Sequence, residues 1–446
     1  MLNESGETAG GGASPAARTG LPRLTRSEWV LLLVLATVQF TLVVDFVILV
    51  PLGPKLEDAL KVSAHQFGWV VSAYGFAASA TGLLAAVLLD RFDRKRSLLV
   101  LFAGFALGTL LCALAPDFLV LLVGRAVAGG FAGVMGANVL TIVSDVFPES
   151  RRATAMGVVM SAYSVANIVG IYAGLEVAEW LGWWGPFAVL AGLCVPALAL
   201  AAYVLPPLRR HLGRGHARPD TPAQVLRHLR DVISRPNHLR AYALTTALML
   251  SSWTIIPYLA IYIVHNVGRP ESDLRYVWLC GGVGTLVTMT PTGWLADSRD
   301  KLLVFRVIGV FCLLPLVLIT NIPEGASLWL TLGVTTLFMV ATSIRWVPLM
   351  AMITASAAPH QRGSFMSVNS SVQQAVMGVA PVLSGFIIGE DADGPGAPLH
   401  GFRWVGAVAA AAMVASVVLA GRLRRAKDPA IAEGSGLGFA AHEPPG

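Results

Sequence analysis

The chain predicts an all-α integral membrane protein: twelve transmembrane helices in two six-helix bundles, related by a pseudo-two-fold axis along the membrane normal. Three observations carry this. First, of its 446 residues 55% are hydrophobic and only 13% charged, against about 25% charged in a soluble domain, and the mean hydropathy is +0.68. Second, twelve apolar runs approach or exceed the roughly 20 residues that a helix needs to cross a bilayer. Third, the two halves repeat. Asp90-Arg91-Phe92-Asp93-Arg94 follows the second run and Asp297-Ser298-Arg299-Asp300-Lys301 the eighth; Pro148-Glu149-Ser150-Arg151 follows the fourth and Pro359-His360-Gln361-Arg362 the tenth. With six spans per repeat both halves enter the membrane in the same sense, which sets the axis along the normal and a binding site between the bundles near the midplane. Continuous apolar runs, rather than short alternating strands, exclude a barrel.

Taken in order, residues 1–26 are polar and small and read as a disordered tail, without the pattern of a signal peptide. Spans are expected at 28–52, 66–89, 97–115, 118–146, 153–178 and 184–205, forming an N-terminal bundle over 27–205. A basic linker, 206–238, follows. TPAQVLRHLRDVISR within it has helical spacing, with Val225, Leu226, Leu229 and Val232 apolar, and fits an amphipathic helix on an anionic leaflet. The second bundle, 239–424, places spans at 239–265, 275–296, 302–321, 327–357, 364–388 and 403–423, and 425–446 is a second polar tail. With the N-terminus inside, the outer loops hold only Lys55, Lys61, Arg269, Arg275 and Arg403 of the 32 Lys and Arg, and Arg125, Arg306 and Arg345 lie within spans. That asymmetry places both termini in the cytoplasm. Cys112, Cys194, Cys280 and Cys312 are scattered through apolar runs, as small buried hydrophobes are.

Charges at membrane depth are the candidate functional residues, because a buried carboxylate costs roughly 2.5–3.5 kcal/mol on insertion scales. Asp45 lies seven residues from the outer end of the first run and Arg125 seven from the outer start of the fourth, so both sit about 10 Å below the outer surface. Asp45 can bind a transported proton, tuned by Arg125: desolvation disfavours the carboxylate and a guanidinium favours it. A substrate contact or a static packing pair are the alternatives. Arg345, beside Trp346 and three residues before Pro348, has three readings: a contact for an anionic substrate, a donor to backbone loosened by the proline, or a snorkelling side chain. Trp253, Tyr258, Asn369 and Gln373 are candidate cavity residues; Asn369 and Gln373, four apart, share a helix face. Trp29, Trp183, Trp184, Trp329 and Trp404 fall at span ends, as interface anchors do.

The loop Ala86-Val87-Leu88-Leu89-Asp90-Arg91-Phe92-Asp93-Arg94-Lys95 is similar to the signature Gly-x-Leu-Ala-Asp-Arg-x-Gly-Arg-Lys, with both glycines replaced; Gly293-Trp294-Leu295-Ala296-Asp297 keeps the first. Arg125-Ala126-Val127-Ala128-Gly129 follows an Arg-x-x-x-Gly pattern. Over residues 27–425 the chain closely resembles the major facilitator superfamily, and within it the drug:proton antiporters and sugar-efflux permeases. The resemblance implies alternating access, a central cavity beside spans one and four, and a charge relay at the cytoplasmic ends, Asp90, Arg94 and Asp145 with Asp297 in the second repeat, that latches the bundles. It also implies a Gly-Pro kink in span five, where this chain has Gly170-Ile171-Tyr172-Ala173-Gly174.

The function expected is proton-coupled efflux of a small drug-like or sugar-like compound across the inner membrane. Proton-coupled uptake of a small, possibly anionic metabolite is the alternative, and a non-transporting sensor a more distant one. No catalytic constellation at membrane depth and no Gly-x-x-x-x-Gly-Lys-Ser/Thr occurs, so an ion gradient must supply the energy. The partners expected are a small molecule, protons and lipid, with no cofactor, metal or nucleic acid, and the protein is expected to be a monomer.

Overall fold

The computed structural model describes residues 24–88, 92–206, 227, 230–358, 361–389 and 396–424, with backbone alone at 85–88. The spans are Arg26–Ile48, Ala64–Leu88, Arg94–Ala113, Phe118–Val146, Glu149–Leu181 and Gly185–Val204 in the first half. In the second they are Pro236–His265, Leu274–Ser298, Lys301–Ile319, Leu328–Ala355, Arg362–Ile388 and Phe402–Ala420. Eleven of these described helices are long and apolar enough to cross a membrane. The other, span eight, has 25 residues but carries glycines, threonines and Pro291.

The packing repeats with a period of six spans. In the first half three packs on four, two on four, three on six, and one on five and six; in the second nine packs on ten, eight on ten, nine on twelve, and seven on eleven and twelve. The most extensive contacts between the halves are two with eleven and five with eight, and these two exchange under the same six-span shift. This is the pseudo-symmetry expected from the repeated loops. Large apolar side chains such as Val100, Leu119 and Phe386 stand exposed on the outside of the bundles, as they can when the solvent is lipid.

Several boundaries differ from expectation. Span one ends at Ile48, not 52, and a short helix, Gly53–Leu60, follows with a proline at its start. Span five starts at Glu149 and passes through one π-helical turn, Ala166–Gly170, before resuming as Ile171–Leu181. A Cβ on Gly170 would meet Val44 Cγ2 at 2.4 Å, and one on Gly174 would meet Ile48 Cδ1 at 2.5 Å. Spans one and five thus approach most closely where the resemblance implies a proline kink. Most of the linker's amphipathic segment lies outside the described residues; Val232, which is described, is buried in the protein core rather than turned to a leaflet.

Candidate functional site

Spans one to four enclose a charged cluster because small residues on span four let the backbones close up. A Cβ on Gly124 would lie 2.9 Å from Cys112 N on span three, and one on Gly129 would lie 2.4 Å from Tyr74 O on span two. Arg125, between these glycines, is fully buried. Its Nη1 donates to Asp45 Oδ2 and to the Asp45 carbonyl, both at 3.0 Å. Thr109 of span three donates to Asp45 Oδ1 at 3.0 Å, and the Tyr74 ring faces the guanidinium at 4.6 Å. Both charged side chains are 0% exposed. Arg125 Nε and Nη2 have no acceptor, so one nitrogen carries the whole ion pair.

The depth argument for Asp45 and Arg125 thus corresponds to a direct contact. Thr109 and Tyr74 were not anticipated, since neither a hydroxyl nor a ring in an apolar run marks itself.

Of the four residues expected to latch the bundles at the cytoplasmic ends, Arg94, Asp145 and Asp297 are described. Asp90 lies outside the described residues. Arg94 Nε is 3.3 Å from Asp145 Oδ2, a pair that ties span three to span four within the first bundle. Asp297 is exposed and makes no ion pair among the described residues.

Among the described residues, ion pairs between the halves occur at the opposite end, the outer one in the orientation that the Lys/Arg distribution predicts. Lys55 Nζ is 2.9 Å from Glu271, His265 Nε2 is 3.3 Å from Glu57, and Arg275 contacts Glu176 and Glu179 of span five. Beneath them Tyr258 is fully buried, its hydroxyl donating to Pro381 O at 2.8 Å. Expected to line a cavity, Tyr258 is instead a plug between the bundles: the space beside Gly68 and Gly385 is filled by its hydroxyl. Burial pushes the Glu57 carboxyl above the usual carboxylate range, against the pull of His265. Asp58 adds to the rise.

This clasp should tighten on acidification. A group whose pKa is raised on closure favours the closed state below its solvated value and loses that contribution as pH rises through the raised one. With cysteines at Lys55 and Glu271, disulfide trapping under a fixed oxidant should therefore be more complete near pH 5 than near pH 8, after correction for thiolate fraction. Glu57→Gln should flatten that dependence; an unchanged profile would remove Glu57 from it.

Arg345 marks a break in span ten, between Leu328–Ile344 and Trp346–Ala355. It is 1% exposed. Its nitrogens reach Thr342 O at 3.2 Å, Leu248 O at 3.4 Å, Ser251 Oγ at 2.7 Å and Met413 Sδ at 2.8 Å, with Ser252 Oγ closer still. The Ile344 carbonyl, which Pro348 leaves without its helical donor, is not among these acceptors. Asn369 is fully buried, accepting from Thr245 at 2.8 Å inside the second bundle; Gln373 is half-buried. Trp253 is half-buried, its ring 5.3 Å from that of Phe46 in the other bundle.

Comparison with known proteins gives the same architecture a family. A model described as Major Facilitator Superfamily matches residues 35–323 and 241–441. The chain belongs to the Major Facilitator Superfamily. Within the superfamily it is 28% identical over 357 residues to an uncharacterised MFS-type transporter, YceJ, of Bacillus subtilis (strain 168), covering 79% of this chain and 87% of that protein. It is 29% identical over 194 residues to the multidrug efflux pump LfrA of Mycolicibacterium smegmatis, covering 43% of this chain and 38% of that pump. Among solved structures, the nucleoside transporter NupG superposes with a TM-score of 0.71 at 12% identity, over 90% of this chain and all of that one; at such identity the likeness is one of fold alone. The chain is therefore a multi-pass membrane transporter with efflux-type relatives.

Proposed function

We propose that this superfamily member exports a small organic compound, drug-like or sugar-like, in exchange for protons by alternating access, with both termini in the cytoplasm of an inner-membrane protein. The observation that carries the reading is the buried Asp45–Arg125–Thr109 cluster. A carboxylate held inside the bundle by one guanidinium nitrogen and one hydroxyl has a proton affinity set by the balance of burial against those two donors. Any movement that wets the cluster changes both desolvation and the Arg125 field, and with them the proton affinity of Asp45. The outer ion pairs supply the complementary half of the cycle: they close one side of the molecule while the proton site is sealed.

Uptake of an anionic metabolite through Arg345 has less support, since that guanidinium is already occupied by hydroxyls and carbonyls. The test is transport in proteoliposomes under an imposed pH gradient, with a panel of drugs, sugars and organic acids. Export reads out as substrate movement against an inward proton flux that collapses with a protonophore. Movement that is indifferent to the gradient would remove the proton from the mechanism.

A further inference from the structure

Asp45 and Phe46 are consecutive on span one, so their side chains leave the helix about 100° apart. Asp45 turns into the first bundle, towards Thr109 and Arg125. The Phe46 ring meets Tyr74 at a centroid distance of 5.0 Å and Trp253 at 5.3 Å, tilted to both. Tyr74 in turn lies against the Arg125 guanidinium. An unbroken file of side chains, Arg125, Tyr74, Phe46 and Trp253, thus runs from the buried charges across the boundary into the second bundle.

Its last member stands at a break. Trp253 ends the helix Pro236–Trp253, and span seven then turns into the 3-10 segment Ile256–Tyr258, which contains Pro257. The indole remains half-buried. Trp253 and Trp346 both pack against Met249, Val376 and Ala380, together with Met377. That surface offers aromatic faces, thioethers and branched aliphatics, and none of these residues is charged. Rings stack on such a surface, and methionines adapt to their edges. A polyhydroxylated ligand would lose hydrogen bonds to water there without replacement.

We infer that Phe46 and Trp253 form the contact through which a flat aromatic substrate acts on the proton site. A ring that stacks on Trp253 has to push aside the Phe46 ring, which lies tilted against the indole at 5.3 Å. Phe46 is one peptide bond from Asp45, so its displacement shifts the carboxylate relative to Arg125 and Thr109. Substrate entry and proton exchange are thereby coupled through one helix turn. This rests on the proton-coupled export reading above and assigns its substrate class and its coupling residues.

The experiment uses full-length protein in liposomes under a pH gradient, with ethidium as the flat aromatic probe and glucose as the polyol. The variants are Trp253→Leu, Trp253→Phe and Phe46→Leu; leucine keeps apolar bulk and removes the ring. Trp329→Leu is the control, since Trp329 is 82% exposed at the start of span ten. Wild type should move ethidium and not glucose. Trp253→Leu should raise the half-saturating ethidium concentration at least about tenfold, and Trp253→Phe should keep it within about threefold. Phe46→Leu should still bind ethidium but exchange fewer protons for each molecule moved, a change of ratio that a merely structural role would not produce. Movement of glucose without ethidium overturns the substrate class and leaves proton-coupled export standing. Equal ethidium saturation in wild type and Trp253→Leu, or an unchanged proton ratio in Phe46→Leu, overturns the assigned coupling. If wild type moves no member of the wider panel under the gradient, the export reading itself fails, and this inference with it.

Discussion

Asp45→Asn is expected to abolish pH-driven transport while leaving folded protein in the membrane. Asparagine keeps the size of the side chain and an oxygen that can accept from Thr109 or Arg125, but it cannot take up and release a proton. The substitution also leaves Arg125 buried opposite a neutral group. Breaking a buried ion pair in this way costs about 3–5 kcal/mol, so the purified variant should unfold at a lower temperature than wild type. The double variant Asp45→Asn with Arg125→Gln removes the orphaned charge and should recover most of that stability. The two readings of the pair part here. If Asp45 carries the proton, the double variant is stable and still inactive. If the pair only fixes packing, transport returns with stability, and the proton role is lost.

Gly75→Val should stop the bundles from closing at the outer end. A Cβ on Gly75 would lie 2.6 Å from Gly378 N and 2.9 Å from both Gln374 O and Met377 C. These are backbone atoms of span eleven, which cannot rotate aside. The contact lies between bundles, so the strain can be relieved by separating them rather than by unfolding either. Overpacking of this kind costs about 1–3 kcal/mol, and each 1.4 kcal/mol changes a population about tenfold. Disulfide trapping between cysteines at Lys55 and Glu271 should slow at least about tenfold, and transport should fall with it. Gly133→Val makes the contrast: its Cβ would sit 2.4 Å from Ala78 O within the first bundle, so its cost should appear as lost thermal stability. Trapping at the wild-type rate in Gly75→Val would show that spans two and eleven do not set closure.

What the sequence disclosed follows from what lipid does to a pattern. Twelve runs could be counted because a bilayer imposes a length, and the pairing of Asp45 with Arg125 could be read because depth is measured from a span's own ends. Rotation about each helix could not. Lipid-facing and protein-facing sides are both apolar, so spans one to four lack the one-sided stripe that orients a helix in a soluble protein. Thr109 and Tyr74, whose roles depend on that rotation, were therefore invisible, as was the turning of Tyr258 into the bundle boundary. The outer ion pairs involve Lys55, Glu57, His265 and Glu271, residues of the short helix Gly53–Leu60, the end of span seven and the loop after it, whose pairing across the halves no spacing within one run could show. The cytoplasmic latch was expected from family resemblance; the pair Arg94–Asp145 lies inside the first bundle, and Asp90 lies outside the described residues.

The π-helical turn at Ala166–Gly170 has an evolutionary consequence. Such a turn houses one residue more than a regular helical turn would, so the flanks on either side keep their facing while the count between them changes. Span eight meets span five at this same place, where a Cβ on Gly282 would lie 2.9 Å from Ile168 Cγ1. A single-codon deletion there could convert the turn to ordinary helix and leave Glu176 and Glu179 still aimed at Arg275, whereas the same deletion a few positions further along would swing both acids away by about 100°. Span five thus holds a point at which descendants of this gene can change length without losing their outer seal.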